Sequence, residues 1–275
     1  MKVYLAIDFG STYTKLTAID MDNEVILATA KDITTVEEDI MIGFNKAYDK
    51  LKAAINEKVD FDSVEFVSKT ACSSAAGGLK MVAIGLVPEL TAEAAKKAAL
   101  GAGARVIKTY AYELNHRELE EIKATPLDII LLAGGTDGGN KDCIIHNAKM
   151  IAEYKLDVPV VVAGNKAAID QVEAIFKEAE IDYFVTENVM PVINKLNVEP
   201  SREEIRKVFM NRIVEAKGMK NAEEFIRGIL MPTPAAVLKA AEVLAEGTDD
   251  EDGIGDLIVV DIGGATTDVH SIAKG

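Results

Sequence analysis

Two short segments near opposite ends of this 275-residue chain share one pattern, and this repeat constrains the fold more than any other feature of the sequence. The first segment, LAIDFGSTYTKLTAI, covers residues 5–19, and the second, IVVDIGGATTDVHSI, covers residues 258–272. Aligned without a gap, they place Asp8 on Asp261. The same alignment pairs Gly10 with Gly263, Thr14 with Thr267, Leu16 with Val269 and Ile19 with Ile272. Each segment therefore predicts a strand, a tight turn containing glycine and a second strand.

The two predicted turns are suited to bind phosphate. A turn of this kind can direct several backbone N–H groups at one point, because glycine adopts conformations closed to other residues and lets the backbone approach a ligand. Hydroxyl side chains would add donors, and Lys15 would place a positive charge on a phosphate group. The predicted phosphate-binding residues are Gly10, Ser11, Thr12, Thr14, Lys15, Gly263, Gly264, Thr266 and Thr267.

An acidic residue precedes each turn: Asp8 in the first segment and Asp261 in the second. A carboxylate beside a bound phosphate repels it unless a cation lies between them. We therefore predict that both acids hold Mg²⁺ through its water molecules, since Mg²⁺ sheds water reluctantly. They are also the predicted catalytic residues, one of which would orient an attacking water. The alternative is a pair of ordinary hairpins, but two matched copies in one chain favour the phosphate interpretation.

The two segments also carry a family resemblance. DFGSTYTK, starting at Asp8, resembles the first phosphate motif of the actin-like ATPase superfamily, and DIGGATTD, starting at Asp261, resembles the second. Over essentially all 275 residues the chain resembles, within that superfamily, the accessory or reactivating proteins of adenosylcobalamin-dependent glutamate mutase. Three further segments carry this resemblance: CSSAAGGLKMVAIGLVPELTAEAAKKAALGAGA from Cys72, LLAGGTDGGN from Leu131 and MPTPAAVL from Met231.

The resemblance implies an α/β chain with the actin-like ATPase (ribonuclease H-like) fold and an inserted parallel α/β subdomain. The second lobe looks incomplete, because the chain stops fourteen residues after Asp261. The expected domains are a first lobe with the first phosphate hairpin, the inserted subdomain, a helical segment with a connecting helix, and the second hairpin. Their expected ranges are 1–125, 126–200, 201–257 and 258–275.

The function implied by the resemblance is that of an ATP-dependent, chaperone-like reactivating factor. Such a factor binds the subunits of an adenosylcobalamin-dependent carbon-skeleton mutase or aminomutase and exchanges damaged cobalamin for intact cofactor. ATP and Mg²⁺ are the implied cofactors, and ATP hydrolysis is the implied activity, although an incomplete second lobe would leave this chain an inactive fragment. Three alternatives stay open, since one fold serves many functions: a small-molecule kinase, an actin-like scaffold and a hydantoinase-like subunit.

Composition limits the partners and the location. The formal net charge of −15 argues against nucleic acid and anionic membranes as partners. No long apolar run predicts a membrane span, and the first residues read as a strand, not a signal peptide. Cys72 and Cys143 stand in unrelated contexts, which predicts a reducing cytoplasm. The three histidines show no metal-ligand spacing.

Apolar periodicity predicts the order of the elements. Three strands, a helix over about 36–57 opened by a Thr35–Glu38 capping box, and a strand over 64–67 begin the chain. From residue 127, buried strands alternate with helices, which is typical of a parallel sheet. The loop GGTDGGN follows one of these strands and is a predicted ligand loop. An adenosine-binding role for Gly134 and Gly135 is a weaker hypothesis beside a plain strand-to-helix connection.

Further helices are predicted from their start signals. Thr91, Ser201 and Thr233 are predicted N-caps, with Pro234 at the first position of the helix that follows Thr233. The resemblance makes that last helix the connecting helix. Another helix is predicted over about 222–230.

Overall fold

The computed structural model describes most of the chain, namely residues 1–35, 38–74, 78–100, 102–215, 229–264 and 267–273. The chain divides into two compact units, which we call unit 1 and unit 2. Unit 1 consists of Met1–Gly77 and Met210–Gly275, and unit 2 consists of Gly78–Phe209. Each unit contains one five-stranded sheet, so the predicted α/β class is confirmed. Within the described ranges, no helix is long and apolar enough to cross a membrane.

The elements are numbered in chain order. The strands are β1 (Lys2–Phe9), β2 (Tyr13–Asp20), β3 (Val25–Ile33), β4 (Glu65–Ser73), β5 (Leu79–Gly85), β6 (Ala104–Ala111), β7 (Ile129–Leu132), β8 (Val160–Val162), β9 (Tyr183–Val185), β10 (Ile229–Pro232), β11 (Leu257–Ile262) and β12 (Thr267–Ile272). The helices are α1 (Ile40–Asn56), α2 (Pro88–Ala99), α3 (His116–Ala124), α4 (Asp142–Tyr154), α5 (Ile169–Glu178), α6 (Glu199–Glu215) and α7 (Thr233–Glu246).

The large sheet of unit 1 has the strand order β10-β4-β1-β2-β3. The strands β1, β2 and β3 form an antiparallel meander. Strand β4 runs parallel to β1, and β10 runs parallel to β4. Alternate apolar residues of β1 are buried, and α1 packs on β2 and β3. The rings of Phe9 and Phe44 lie 5.9 Å apart in this core. The start predicted from apolar periodicity, three strands, a helix and a fourth strand, is confirmed.

Helix α1 begins later than predicted. Its N-cap is Asp39, whose carboxylate accepts a hydrogen bond from the backbone N–H of Met41 at 2.8 Å. Thr35 lies before the helix, and its hydroxyl accepts from the N–H of Gly43 at 3.0 Å. The predicted capping box at Thr35 is therefore wrong, because Asp39 stands directly before the first buried helical residue, Ile40.

Three other predicted caps lie inside helices. Helix α2 begins at Pro88, which fits the first helical position, and Thr91 is buried against Gly85. Helix α6 begins at Glu199, which leaves Ser201 fully buried within it. Helix α7 begins at Thr233, whose hydroxyl donates a hydrogen bond to the carboxylate of Asp8. The predicted helix over 222–230 falls on residues of which 222–228 lie outside the described ranges, and residues 229 and 230 begin β10.

The sheet of unit 2 is wholly parallel, with the order β6-β5-β7-β8-β9. Strands β7 and β8 are buried along their whole length, as expected of a sheet covered on both faces. On one face, α3, α4 and α5 contribute buried side chains to a single apolar cluster with β5, β7 and β8. The strands β5 and β6 pair in this sheet, although the expected first lobe extended to residue 125. On the other side of β5, the carboxylate of Asp128, directly before β7, accepts from the N–H of Lys80 at 2.8 Å and extends the pairing of β5 with β7.

The strands β11 and β12 form a separate two-stranded antiparallel sheet in unit 1. A hairpin of this size is barely stable alone in water, and α7 packs against both of its strands. This packing is the support that the hairpin requires.

Candidate functional site

Asp8 occupies a central position in the sheet of unit 1. It is the last residue but one of β1, opposite Lys15 of β2 and opposite Cys72 of β4. Residues opposite each other in neighbouring strands project from the same face of a sheet. The strand pairing therefore brings a carboxylate, an ammonium group and a thiol together, although these residues are far apart in sequence.

The Asp8 carboxylate has three side-chain partners. Lys15 Nζ lies 3.2 Å from Oδ2, and the hydroxyl of Thr233 donates to Oδ1 at 2.8 Å. The Sγ atom of Cys72 lies 3.6 Å from the same Oδ1. The side chain of Asp8 is 22% exposed and that of Lys15 is 55% exposed, so both remain accessible to a ligand. Thr233 was predicted only as a helix cap, and its role as a partner of Asp8 was missed.

The first predicted phosphate turn is held by backbone hydrogen bonds. The N–H of Gly10 donates to the carbonyl of Tyr13 at 3.1 Å, and the carbonyl of Thr12 accepts from the N–H of Thr34 at 2.9 Å. A Cβ atom at Gly10 would lie 2.7 Å from the Tyr13 carbonyl oxygen, which explains why glycine stands there. Ser11, at the tip of this turn, is exposed.

Thr14 lies on the opposite face from Asp8. It is fully buried, and its Oγ1 lies 3.1 Å from the Oγ1 of Thr34. The alternation of side chains along β2 turns Thr14 inward and the next residue, Lys15, outward. The structure thus differs from the prediction of Thr14 as a phosphate ligand, since its hydroxyl is engaged inside the protein.

The second predicted phosphate turn lies against the first. A Cβ atom at Gly264 would lie 2.5 Å from Oγ1 of Thr12, so a larger residue there would require the Thr12 side chain to shift. Gly263 adjoins it after β11, and Thr267 is the exposed first residue of β12. Thr266 lies outside the described residues. The fold of unit 1 therefore brings together two turns that are more than two hundred residues apart in sequence.

Asp261 stands directly opposite Asp268 in the hairpin of β11 and β12. Two carboxylates in opposite positions repel each other, and a divalent cation would relieve that repulsion. Asp268 was not singled out from the sequence, although it belongs to the second motif. In the part of the chain that the structure describes, no group of three or more His, Cys, Asp or Glu side chains could hold a metal. Mg²⁺ is an ion that proteins usually bind with one or two carboxylates together with water and phosphate oxygens.

The thiol of Cys72 is kept protonated by its surroundings. Burial, followed by the charge of the Asp8 carboxylate, raises the pKa of Cys72 from 9.0 to about 12. Burial likewise raises the pKa of Cys143 to about 11. Because a thiolate is the nucleophilic form, neither cysteine fits a nucleophile at neutral pH.

We expect alkylation to report this protonation state. At pH 8, iodoacetamide should modify Cys72 in the folded chain far more slowly than in urea, since a pKa three units higher leaves roughly a thousandfold less thiolate. The rate should rise with pH as the thiol ionises. Asp8→Asn removes the negative charge and should speed modification of Cys72 but not of Cys143, measured by mass spectrometry. Equal rates for Cys72 in the folded and unfolded chain would contradict this assignment.

Gly134 and Gly135 lie in unit 2, at the carboxyl end of β7. Both have positive φ, at 142° and 71°. The hypothesis that they bind adenosine stays a hypothesis.

Comparison with known proteins gave one family and a small set of relatives. The profile of the MutL protein family matches residues 4–275. Protein MutL of Clostridium tetanomorphum is 73% identical over 275 residues, which cover 100% of this chain and 59% of that protein. The chain thus spans about 59% of the length of this curated relative.

Two solved structures were also matched. One is the activator of the 2-hydroxyisocaproyl-CoA dehydratase from Clostridium difficile with bound ADPNP, at 11% identity over 76% of this chain and 97% of that one, with a TM-score of 0.21. The other is the ethanolamine utilization protein EutJ from Carboxydothermus hydrogenoformans, at 15% identity over 73% and 88%, with a TM-score of 0.17. At these TM-scores no conclusion about the site follows from either structure.

Proposed function

The chain belongs to the MutL protein family, and we propose that it is the phosphate-binding part of an ATP-dependent, chaperone-like reactivating factor for an adenosylcobalamin-dependent mutase of the glutamate mutase type. The factor would bind the mutase subunits in the cytoplasm and exchange damaged cobalamin for intact cofactor. Family membership supports the link to a mutase. The geometry around Asp8 supports the proposal that the chain binds a nucleotide.

The contact between the two turns is the observation that carries the proposal. Gly264 of the second turn packs on Thr12 of the first, and the Asp8 carboxylate lies at the end of the strand that leads into the first turn. Two such turns in contact would offer donors from both sides of one phosphate chain, with hydroxyl groups from the first turn and the N–H groups of Gly263 and Gly264 from the second. A lone hairpin would provide them from one side only.

Each accessible side chain has a role in this proposal. Lys15, which now pairs with Asp8, would move its charge to a phosphate oxygen. Asp8 and Asp261 would hold Mg²⁺ through its water molecules, and one of them would orient the water that attacks the terminal phosphate. When bound, Mg²⁺ would neutralise part of the phosphate charge. Ser11, Thr12 and the N–H groups of Gly263 and Gly264 would complete the phosphate site, while Thr14 fixes the strand behind it.

Nucleotide binding would act on the mutase by shifting a conformational equilibrium. ATP can favour one arrangement of the factor only by as much as its affinity for that arrangement exceeds its affinity for the other. A nucleotide that contacts both turns meets this condition, because its affinity depends on the turns staying together. Separation of the turns after hydrolysis would release the mutase.

Reactivation of a blocked mutase tests the function. Mutase carrying hydroxocobalamin is incubated with this chain, adenosylcobalamin, Mg²⁺ and ATP, and mutase turnover is then measured. We expect recovery with ATP and none when ATP or the chain is omitted. Failure to recover with a chain that binds ATP would overturn the reactivation proposal. Production of ADP that depends on a small metabolite, without any mutase, would point to a kinase instead.

Thr233 is expected to raise the Mg²⁺-dependent affinity for ATP through its hydrogen bond to Asp8. Thr233→Val keeps the shape of the side chain but removes the donor to Asp8 Oδ1, and one hydrogen bond to a charged group contributes about 1.5–3 kcal/mol. We expect Mg²⁺-dependent ATP affinity, measured by calorimetry, to fall about tenfold or more. Thr233→Ser, which keeps the hydroxyl, should restore most of the affinity. Equal loss in both variants would indicate a packing role only.

A further inference from the structure

Strand β3 lies at one edge of the large sheet of unit 1. It has nine residues, and in the part of the chain that the structure describes β2 is the strand that pairs with it. The other side of β3 therefore presents backbone N–H and C=O groups along an open edge. A long edge strand is a template for pairing with another chain, and proteins often block such an edge with charged side chains, lysine above all.

Two lysine ammonium groups occupy this open edge. Lys58 Nζ donates to the backbone carbonyl of Leu27 at 2.5 Å, in a partly buried position. Lys50 Nζ lies 3.4 Å from the backbone carbonyl oxygen of Lys31, and the carboxylate of Asp32, at 2.8 Å from the same Nζ, holds it there. Both carbonyls therefore point away from the sheet, toward the side on which another strand would pair.

The spacing of the two lysines matches the spacing of the two carbonyls. Lys58 follows Lys50 by eight positions, and a helix rises about 12 Å over that interval. Lys31 follows Leu27 by four positions, and a strand rises about 13 Å over that interval. Lys58 lies just after α1, and its N–H donates to the carbonyl of Ile55 at 2.9 Å, which continues the last turn. Because α1 packs on β3, both ammonium groups reach the edge together.

The edge that the lysines occupy is suited to pair with a copy of itself. Thr29 directs its backbone groups to the same side as Lys31, because this direction alternates from one strand residue to the next. A twofold axis at Thr29 would place Leu27 of each copy opposite Lys31 of the other. It would also place Val25, which is 53% exposed, opposite Ile33, which is 59% exposed. The pairing would thus cover two exposed apolar pairs, and it would need the two carbonyls that the lysines now engage.

We propose that the edge of β3 is a masked interface for a second copy of this chain, and that Lys50 and Lys58 keep it closed. While both ammonium groups are in place, a second β3 cannot pair without displacing two charges from their carbonyl partners. Once they are removed, the sheets of two copies join by antiparallel pairing about Thr29. This inference is independent of the proposed reactivating function.

Replacement of both lysines tests the mask. Lys50→Met with Lys58→Met keeps two long side chains but removes both donors. Analytical ultracentrifugation should show self-association at least tenfold tighter for this double variant than for the parent chain. The formal net charge of the chain is −15, so removing positive charge adds repulsion between copies and cannot itself explain tighter association. The matched control, Lys46→Met with Lys52→Met, removes the same charge from α1 and should behave like the parent.

A cysteine on the proposed twofold axis locates the interface. In a hydrogen-bonded antiparallel pair the Cα atoms lie about 5.5 Å apart, which suits a disulfide. Thr29→Cys in the double-variant background should therefore give a covalent dimer with oxidised glutathione as the oxidant, measured by electrophoresis without reductant. In the parent background, Thr29→Cys should give at least tenfold less of this dimer. Asp22→Cys, in the exposed turn before β3, is the control and should give little in either background.

Circular dichroism checks that each variant is folded. If the double variant does not fold, Lys58→Met alone frees the carbonyl of Leu27 and should give part of the same gain in association. The proposal is overturned if the folded lysine variant associates no more tightly than the parent, or if the Lys46 and Lys52 control associates as tightly as that variant. It is also overturned if Thr29→Cys cross-links equally in both backgrounds or in neither.

Discussion

Asp8→Ala is expected to abolish Mg²⁺-dependent binding of ATP by this chain. The carboxylate interacts with Lys15 and Thr233, and its removal leaves neither Mg²⁺ nor Lys15 correctly placed for a phosphate. One hydrogen bond to a charged group contributes about 1.5–3 kcal/mol, so loss of the Thr233 bond alone corresponds to a roughly tenfold to hundredfold effect, and loss of a Mg²⁺ ligand adds to it. Calorimetric titration with and without Mg²⁺ measures the loss. Asp261→Ala should have the same effect.

Two further variants make this prediction specific. Asp22→Ala changes an exposed acid in the other turn of the same meander and should leave ATP affinity unchanged. Asp8→Asn keeps the shape of the side chain while removing its charge, so it separates cation binding from packing. If Asp8→Ala is folded and binds ATP as tightly as the parent chain, the metal assignment is wrong.

Asn165→Ala is expected to destabilise unit 2 by about 3 kcal/mol. The Asn165 amide donates to the carbonyls of Gly139 and Asn140, and its side-chain oxygen accepts from the N–H groups of Gly138 and Ala167. Four backbone groups therefore lose a partner at once. Each buried group left unsatisfied costs about 1–3 kcal/mol, and water reaches some of these groups after the change. Urea unfolding measures the difference in the free energy of unfolding.

The control for this prediction is Asn197→Ala. Asn197 makes an exposed hydrogen bond to Glu187 at 2.9 Å, and its loss should cost well under about 1 kcal/mol. Hydrogen exchange adds a local measurement, since the amides of residues 134–140 should lose protection in Asn165→Ala. Similar destabilisation by both changes would mean that Asn165 does not hold the loop.

Local patterns predicted much of unit 1 because its first three strands are neighbours in the sheet as well as in the sequence. The strands β1, β2 and β3 and the helix α1 show clear periodicity, and the turns between them are short. Thr14 shows the limit of this reasoning. It aligns with Thr267, yet Thr14 is fully buried and Thr267 is exposed. The face of a strand that is covered depends on what packs there, and α1 covers only the first hairpin.

Contacts between distant residues could not be predicted in this way. Thr233 reaches Asp8 across a separation of 225 residues, because β10 pairs with β4 and β4 pairs with β1. The sequence around Thr233 resembles an ordinary helix start. A threonine at this position fits a helix cap and a hydrogen-bond donor to Asp8 equally well. The pairing of β5 with β7 is likewise non-local, and no local pattern in the sequence predicted it.

The discontinuity of unit 1 has a consequence for biosynthesis. Unit 2 is one continuous stretch, so a ribosome delivers all of it before the second segment of unit 1, which begins at Met210, is made. Unit 1 must instead keep β4 unpaired on one edge until β10 emerges, and its first turn has no counterpart until Gly264 has been translated. An exposed strand edge of this kind invites mispairing. The nascent polypeptide therefore passes through a period in which chaperone protection of β4 matters most.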